Sequence, residues 1–251
     1  MSQRVDTIEV KVRRQDGPES EPYWEEFSIP YKAQHNVISV LMEIQAAPVT
    51  RQGERTRPVV WESNCLEEVC GACTMVINGR VRQACSTLID NLEQPVTLEP
   101  MAKFPLVRDL VVDRSRMFEN LKRVKAWVAI DGTYDLGAGP RQSQDSQAEA
   151  YAFSRCMTCG CCLEACPQYS DSFDFIGANT LGQVYMFNTH PTAAMTADER
   201  LSTIMGRGGL SDCGNAQNCV EVCPKEIPLT KAIAKLGRDV TLKSLRDLLL
   251  R

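Results

Sequence analysis

Twelve of the 251 residues are cysteine, and they are clustered rather than scattered. Thiols in that number admit two chemistries, a disulfide framework in an oxidising compartment or thiolate ligation of metal in a reducing one. The opening residues, MSQRVDTIEVKVRR, alternate polar and apolar side chains and lack the roughly 7–15-residue apolar core of an export signal. Arg13-Arg14 is followed by Gln-Asp-Gly rather than an apolar run, which argues against twin-arginine export. The chain is therefore expected in the cytoplasm, where clustered cysteines read as metal ligands.

The first group, Cys65, Cys70, Cys73 and Cys85, is spaced C-x4-C-x2-C-x11-C. A single zinc ion usually takes its thiolates as two close pairs from two knuckles. Here the grouping is three and one, the plant-type [2Fe–2S] spacing, in which a tight loop supplies three ligands and a following strand returns the fourth. Small residues such as Gly71 and Ala72 let backbone N–H groups point at sulfur and tune the potential.

The second group reads CMTCGCCLEACP, with Cys156, Cys159, Cys162 and Cys166 in the C-x2-C-x2-C-x3-C-P run of bacterial ferredoxins. Cys161 is an extra thiol out of register, read as a small buried apolar residue. In such runs the Cys before Pro serves the other cluster, so a second run is required. It is CGNAQNCVEVCP, which keeps the spacing with Cys213, Cys219 and Cys223 but has Ala216 where the second Cys belongs. Crossed ligation assigns Cys156, Cys159, Cys162 and Cys223 to a [4Fe–4S] cluster and leaves Cys166, Cys213 and Cys219 for the other. A methyl group cannot ligate, so the second centre is expected to be [3Fe–4S]; the rival is a cubane whose fourth iron takes water or an outside ligand.

The elements that must position these residues differ between the two halves. From Thr7 to about Pro100 the pattern is strand-like: Ile8–Val12 and Glu25–Ile29 alternate and can pair, and Asn78-Gly79 marks a type I′ hairpin after Met75–Ile77. One helix is expected after the cap Asn36, with Val37, Ile38, Leu41 and Ile44 on one face and Pro48 ending it. After Pro105 helix formers dominate. The polar stretch from Arg141 to Glu149 reads as a connector, and Leu242–Leu250 as an amphipathic segment that docks on the core or a partner. The fold class is α+β, with a first domain over 1–104 and an α-helical second domain over 105–251.

Composition closes off other classes. The net charge is −4, which gives no electrostatic footprint for nucleic acid. The longest uncharged run, Phe175 to Ala197, contains Asn179, Gln183 and Pro191 and does not read as a membrane span. No G-x-G-x-x-G or P-loop pattern is present. The only histidines, His35 and His190, are far apart and read as ordinary structural residues. With no catalytic residue to name, the chain is expected to carry electrons singly between partners that supply the substrate chemistry.

Three blocks in this order, CLEEVCGACTMVINGRVRQAC, CMTCGCCLEACP and CGNAQNCVEVCPK, resemble the iron–sulfur subunit of succinate dehydrogenase and fumarate reductase, respiratory complex II. The resemblance spans essentially the whole chain, including PMAKFPLVRDLVVDRSRMF between the halves. It implies a β-grasp [2Fe–2S] ferredoxin domain followed by a helical ferredoxin domain with the [4Fe–4S] and [3Fe–4S] clusters. It further implies a flavoprotein partner with covalent FAD that oxidises succinate to fumarate, and a membrane anchor where quinone is reduced. The subunit would sit peripherally on the cytoplasmic face of the cell membrane. The direction of turnover, succinate oxidation or fumarate reduction, is left open.

One departure narrows the type. Many members build a quinone pocket from a Trp and a His beside the last cluster; those places hold Asp171 and Gly214 here. The sequence is similar to the Gram-positive type, which implies a di-haem cytochrome b anchor, menaquinone, and electron delivery to haem b. Two other classes are alternatives. The small subunits of molybdenum hydroxylases share a stretch similar to CGACTMVING but carry a second [2Fe–2S] motif in place of ferredoxin runs. A soluble multi-cluster carrier would purify alone, without fixed partners.

Overall fold

The computed structural model describes residues 7–129 and 140–250. The opening six residues used in the export-signal reading lie outside them. Chain packing divides the protein between Arg114 and Ser115 into two compact units.

In the first unit, β1 (Thr7–Arg14) and β2 (Tyr23–Pro30) form the expected antiparallel hairpin, with Ile8 opposite Ile29 and Val12 opposite Glu25. Asn36 caps α1 (Val37–Ala46), its side chain accepting from the N–H of Ser39 at 2.9 Å. Five further strands follow the cysteine-rich loop: β3 (Thr74–Ile77), β4 (Arg80–Gln83), β5 (Val96–Glu99) and the short β6 (Leu106–Arg108) with its partner β7 (Val111–Val112). Asn78 and Gly79 both take positive φ, 47° and 72°, as a type I′ turn between β3 and β4 requires. The main sheet has the order β2-β1-β5-β3-β4; only β1 and β5 run parallel. Apolar residues of α1 and of the sheet's inward positions, Leu41 and Ile44 with Val10 and Phe27 among them, make one core.

Alternation in β1 carries its inward face on to Arg14, where a charged residue stands at a buried position. Arg14 is fully buried, its Nε donating to Asp109 at 3.0 Å, with Glu25 also in contact. Burial works against the cation, yet hydrogen bonding and charge from Asp109, aided by Glu25, hold its pKa above the usual guanidinium value. Asp109 also accepts from the backbone N–H of Gln15 (3.1 Å) and Val60 (2.9 Å). This hub ties the β6–β7 hairpin to the first unit, so the packing division falls beyond Pro105, where the sequence texture changes.

The second unit is helical. It contains α2 (Ser115–Arg123), α3 (Gln144–Ser154), α4 (Cys161–Glu164), α5 (Ala178–Thr189), α6 (Ala197–Met205), α7 (Asn218–Glu221) and α8 (Leu229–Leu249). α5 is central, buried from Ala178 to Gly182 and again at Val184 and Tyr185, and packs on α3 and α8. At Gly182 a Cβ would lie 2.9 Å from Leu229, so the α5–α8 approach uses the missing side chain. Buried Arg200 of α6 gathers the carbonyls of Lys125 (3.0 Å), Ala193 (2.8 Å) and Trp127 (3.2 Å).

One expectation is corrected and another is narrowed. The connector assigned to Arg141–Glu149 is helical from Gln144: Ser143 caps α3 by accepting from the Ser146 N–H at 3.2 Å, and Glu149 is held by Lys235 (2.5 Å) and Lys231 (3.0 Å) of α8. Polarity there serves ion pairing rather than a loop. Of the two dockings expected for 242–250, the one on the core is not made: Leu242, Leu245 and Leu248–Leu250 are exposed, and α8 meets α6 there through Arg246 and Asp198, which leaves the partner as the expected seat of these leucines.

Candidate functional site

Cysteines of the first unit gather around a loop and a hairpin. Leu66, Glu68 and Gly71 take positive φ (61°, 54° and 72°), coiling the chain so that successive N–H groups turn inward. The Cys65 sulfur accepts from the N–H groups of Glu67 (3.4 Å), Val69 (3.3 Å) and Cys70 (3.3 Å); the Cys70 sulfur accepts from Cys65 (3.5 Å) and Ala72 (3.4 Å). The donors at Glu67 and Val69 draw the Cys65 thiol down to about 7. A loop whose amides converge on sulfur stabilises thiolate, the form that binds metal.

Cys73 and Cys85 flank the β3–β4 hairpin, which closes when the Ala84 N–H donates to the Cys73 carbonyl at 3.1 Å. Both are buried; burial, with the neighbouring Cys85 thiol, pushes Cys73 up to about 12. A thiol raised as Cys73 is stays protonated unless a cation compensates the buried charge, which suits a cationic centre. Three supports were not legible in the sequence. Arg114 donates to the Gly71 carbonyl at 2.7 Å and to Glu62 at 3.0 Å, pinning the loop from outside. Asn36 donates its amide to the Cys85 carbonyl at 2.9 Å besides capping α1. Gln83 lies 3.5 Å from the Cys73 sulfur and bonds Thr74 at 2.8 Å.

The two runs of the second unit fold alike. Thr158 and Gly160 take positive φ (52° and 91°) ahead of α4, and Asn215 and Gln217 do the same (53° and 65°) ahead of α7. By this register Cys156, Cys159, Cys162 and Cys166 correspond to Cys213, Ala216, Cys219 and Cys223, so Ala216 stands on the backbone position that Cys159 occupies in the other run. The Asn218 amide donates to the Ala165 carbonyl at 2.9 Å, joining the runs.

Two cavities sort these thiols. One is lined by Cys156, Cys159, Cys162 and Cys223, together with Cys161; the other by Cys166, Cys213 and Cys219, together with Ala216. Burial, then the charges of Cys159, Cys156 and Cys223, raises the Cys162 thiol well above its ordinary value. In the second cavity, burial followed by Cys166 and Cys213 pushes Cys219 up to about 11. Among the described residues no three His, Cys, Asp or Glu side chains close to the spacing of a single metal ion; the thiols ring cavities instead. Crowded, buried thiols that repel one another as thiolates are a donor set suited to a polynuclear iron–sulfur centre, which supplies the missing positive charge. Cys161 is fully buried, as its apolar reading requires. His190 accepts at Nδ1 from the N–H groups of Thr192 and Ala193, both at 3.2 Å, a structural role at the end of α5.

Comparison with known proteins agrees with this geometry. The model of a 2Fe-2S iron-sulfur cluster binding domain matches residues 9–119, and that of a 4Fe-4S dicluster domain matches residues 152–227. The chain is 59% identical over 241 residues to the succinate dehydrogenase iron-sulfur subunit of Bacillus subtilis (strain 168), covering 96% of this chain and 95% of that one. This chain belongs to the iron–sulfur subunits of succinate dehydrogenase and fumarate reductase. The fumarate reductase iron-sulfur subunit of Wolinella succinogenes is 35% identical, over 70% of this chain and 75% of its own. In fold, the subunit matches a chain of the Mycobacterium smegmatis Sdh1 complex in the apo form with a TM-score of 0.76 at 23% identity, covering 93% and 95% of the two chains. The protein is thus an electron-transfer subunit of a complex II type enzyme. Among its described residues no helix is long and apolar enough to cross a membrane.

Proposed function

We propose that this iron–sulfur subunit holds three centres: a [2Fe–2S] cluster on Cys65, Cys70, Cys73 and Cys85 of a β-grasp ferredoxin domain, and, in a helical ferredoxin domain, a [4Fe–4S] cluster on Cys156, Cys159, Cys162 and Cys223 and a [3Fe–4S] cluster on Cys166, Cys213 and Cys219. When bound, these clusters supply one-electron centres that carry electrons from the FAD of a flavoprotein subunit, where succinate becomes fumarate, towards a di-haem cytochrome b anchor and menaquinone. The protein's part is to present thiolates, aim N–H groups at sulfur, and keep water from the buried ligands. With its partners the subunit would lie peripherally on the cytoplasmic face of the membrane.

The observation that carries this reading is the exchange of Cys166 and Cys223 between the two cavities, together with alanine at 216. It is tested by iron and sulfide analysis of the purified complex, which should give about nine irons per chain, against about ten if the second centre is a cubane with a borrowed ligand. Haem is measured on the same sample; a complex without it contradicts the cytochrome b anchor. A chain that purifies alone with all its clusters contradicts fixed partnership. The likeness to both succinate dehydrogenase and fumarate reductase subunits leaves the direction of turnover to the measured cluster potentials.

A further inference from the structure

Gln168 follows the Cys166-Pro167 turn and lines the second cavity beside Cys166, Cys213 and Cys219. Its carboxamide occupies space that any side chain at position 214 would claim: a Cβ on Gly214 would lie 2.7 Å from Nε2, 3.4 Å from Cδ and 3.5 Å from Cγ. Among the described residues, no hydrogen bond within the protein engages this carboxamide. The residue is half-buried, and its amide, without a partner among the described residues, stands at the wall of a cavity whose other lining groups include three thiols. Thiolates and inorganic sulfides are acceptors only, so they select the NH₂ end of the amide.

We propose that the Gln168 side-chain N–H donates a hydrogen bond to the sulfur shell of the centre held by Cys166, Cys213 and Cys219, and that glycine at 214 is what makes room for it. This rests on the reading of the second cavity as a three-iron site. A donor to sulfur favours the reduced, more negative state and so raises the potential. A hydrogen bond to a charged acceptor corresponds to about a tenfold change in the reduced-to-oxidised ratio at fixed potential, or 59 mV for a one-electron couple.

The test is an EPR-monitored redox titration of the purified complex in four forms: native, Gln168→Met, Gly214→Ala and the double variant. The clash at 214 is with the far end of a flexible side chain, so Gly214→Ala displaces the amide while leaving the fold intact. Each single variant should lower the midpoint of the oxidised-state signal by about that tenfold factor, and the double variant should go no lower than Gln168→Met. A midpoint unmoved in Gly214→Ala, or a shift that persists undiminished when Gln168 is already methionine, overturns the proposal. This holds even if Gln168→Met fails to assemble. A native complex with no oxidised-state signal overturns the three-iron reading itself, a failure distinct from an unmoved midpoint.

Discussion

Cys166 and Cys223 trade places. Each closes a ferredoxin run, yet Cys223 lines the cavity of Cys156, Cys159 and Cys162, while Cys166 lines that of Cys213 and Cys219. α4 and α7 are short helices in contact, each entered through a left-handed residue, and this pairing turns the last Cys of each run towards the partner run.

Ala216 is the first place to test that symmetry. Because its run repeats the backbone of the Cys159 run, Ala216→Cys should supply a fourth thiolate where the other run has one. The iron count should rise by about one and the oxidised-state EPR signal should disappear. A retained signal at full intensity would show that the two runs are not equivalent at that corner.

Cys161 should be dispensable. It is fully buried beside the proposed ligands and reads as packing, so Cys161→Ala should leave iron content unchanged and cost about 1 kcal/mol in lost packing, read as a small fall in Tm. Loss of any cluster would refute this.

The Arg14–Asp109 pair is fully buried on both sides. Asp109→Ala leaves the buried guanidinium with Glu25 as its remaining carboxylate partner and releases the N–H groups of Gln15 and Val60, so it should destabilise the first unit by about 3 kcal/mol, measured by denaturant unfolding of the complex. A change below about 1 kcal/mol would show that water reaches the site.

Much of this framework was legible in the sequence, and the reason differs from element to element. The β1–β2 pairing, the Asn36 cap and the Asn78-Gly79 turn are local signals, and the cysteine spacings encode ligand geometry directly. What escaped depends on contacts between distant residues. Arg14 looks like a surface residue until Asp109 arrives; Arg114 supports the Gly71 loop from far along the chain; α3 is polar because Glu149 answers Lys231 and Lys235. No period or composition announces such partners.

Glu149 also makes a pH prediction. Hydrogen bonding from Lys235 leads the causes that draw its carboxyl from 4.5 down to about 2. A depressed folded pKa means the stabilisation is present in full above about pH 4.5 and is lost as pH falls towards 2. The pair is partly solvated, so its contribution is about 1 kcal/mol. Glu149→Gln should remove this acid dependence between those pH values in thermal unfolding; an unchanged pH profile would show that the α3–α8 ion pairs carry no stability.

The crossed assignment of cysteines is tested most directly by low-temperature EPR of the oxidised complex carrying Cys166→Ser or Cys223→Ser. Cys166→Ser should perturb or abolish the oxidised-state [3Fe–4S] signal while the reduced-state [4Fe–4S] signal survives, and Cys223→Ser should do the reverse. If Cys166→Ser instead removes the [4Fe–4S] signal and spares the other, each run binds its own cluster, and the exchange on which this account rests is wrong.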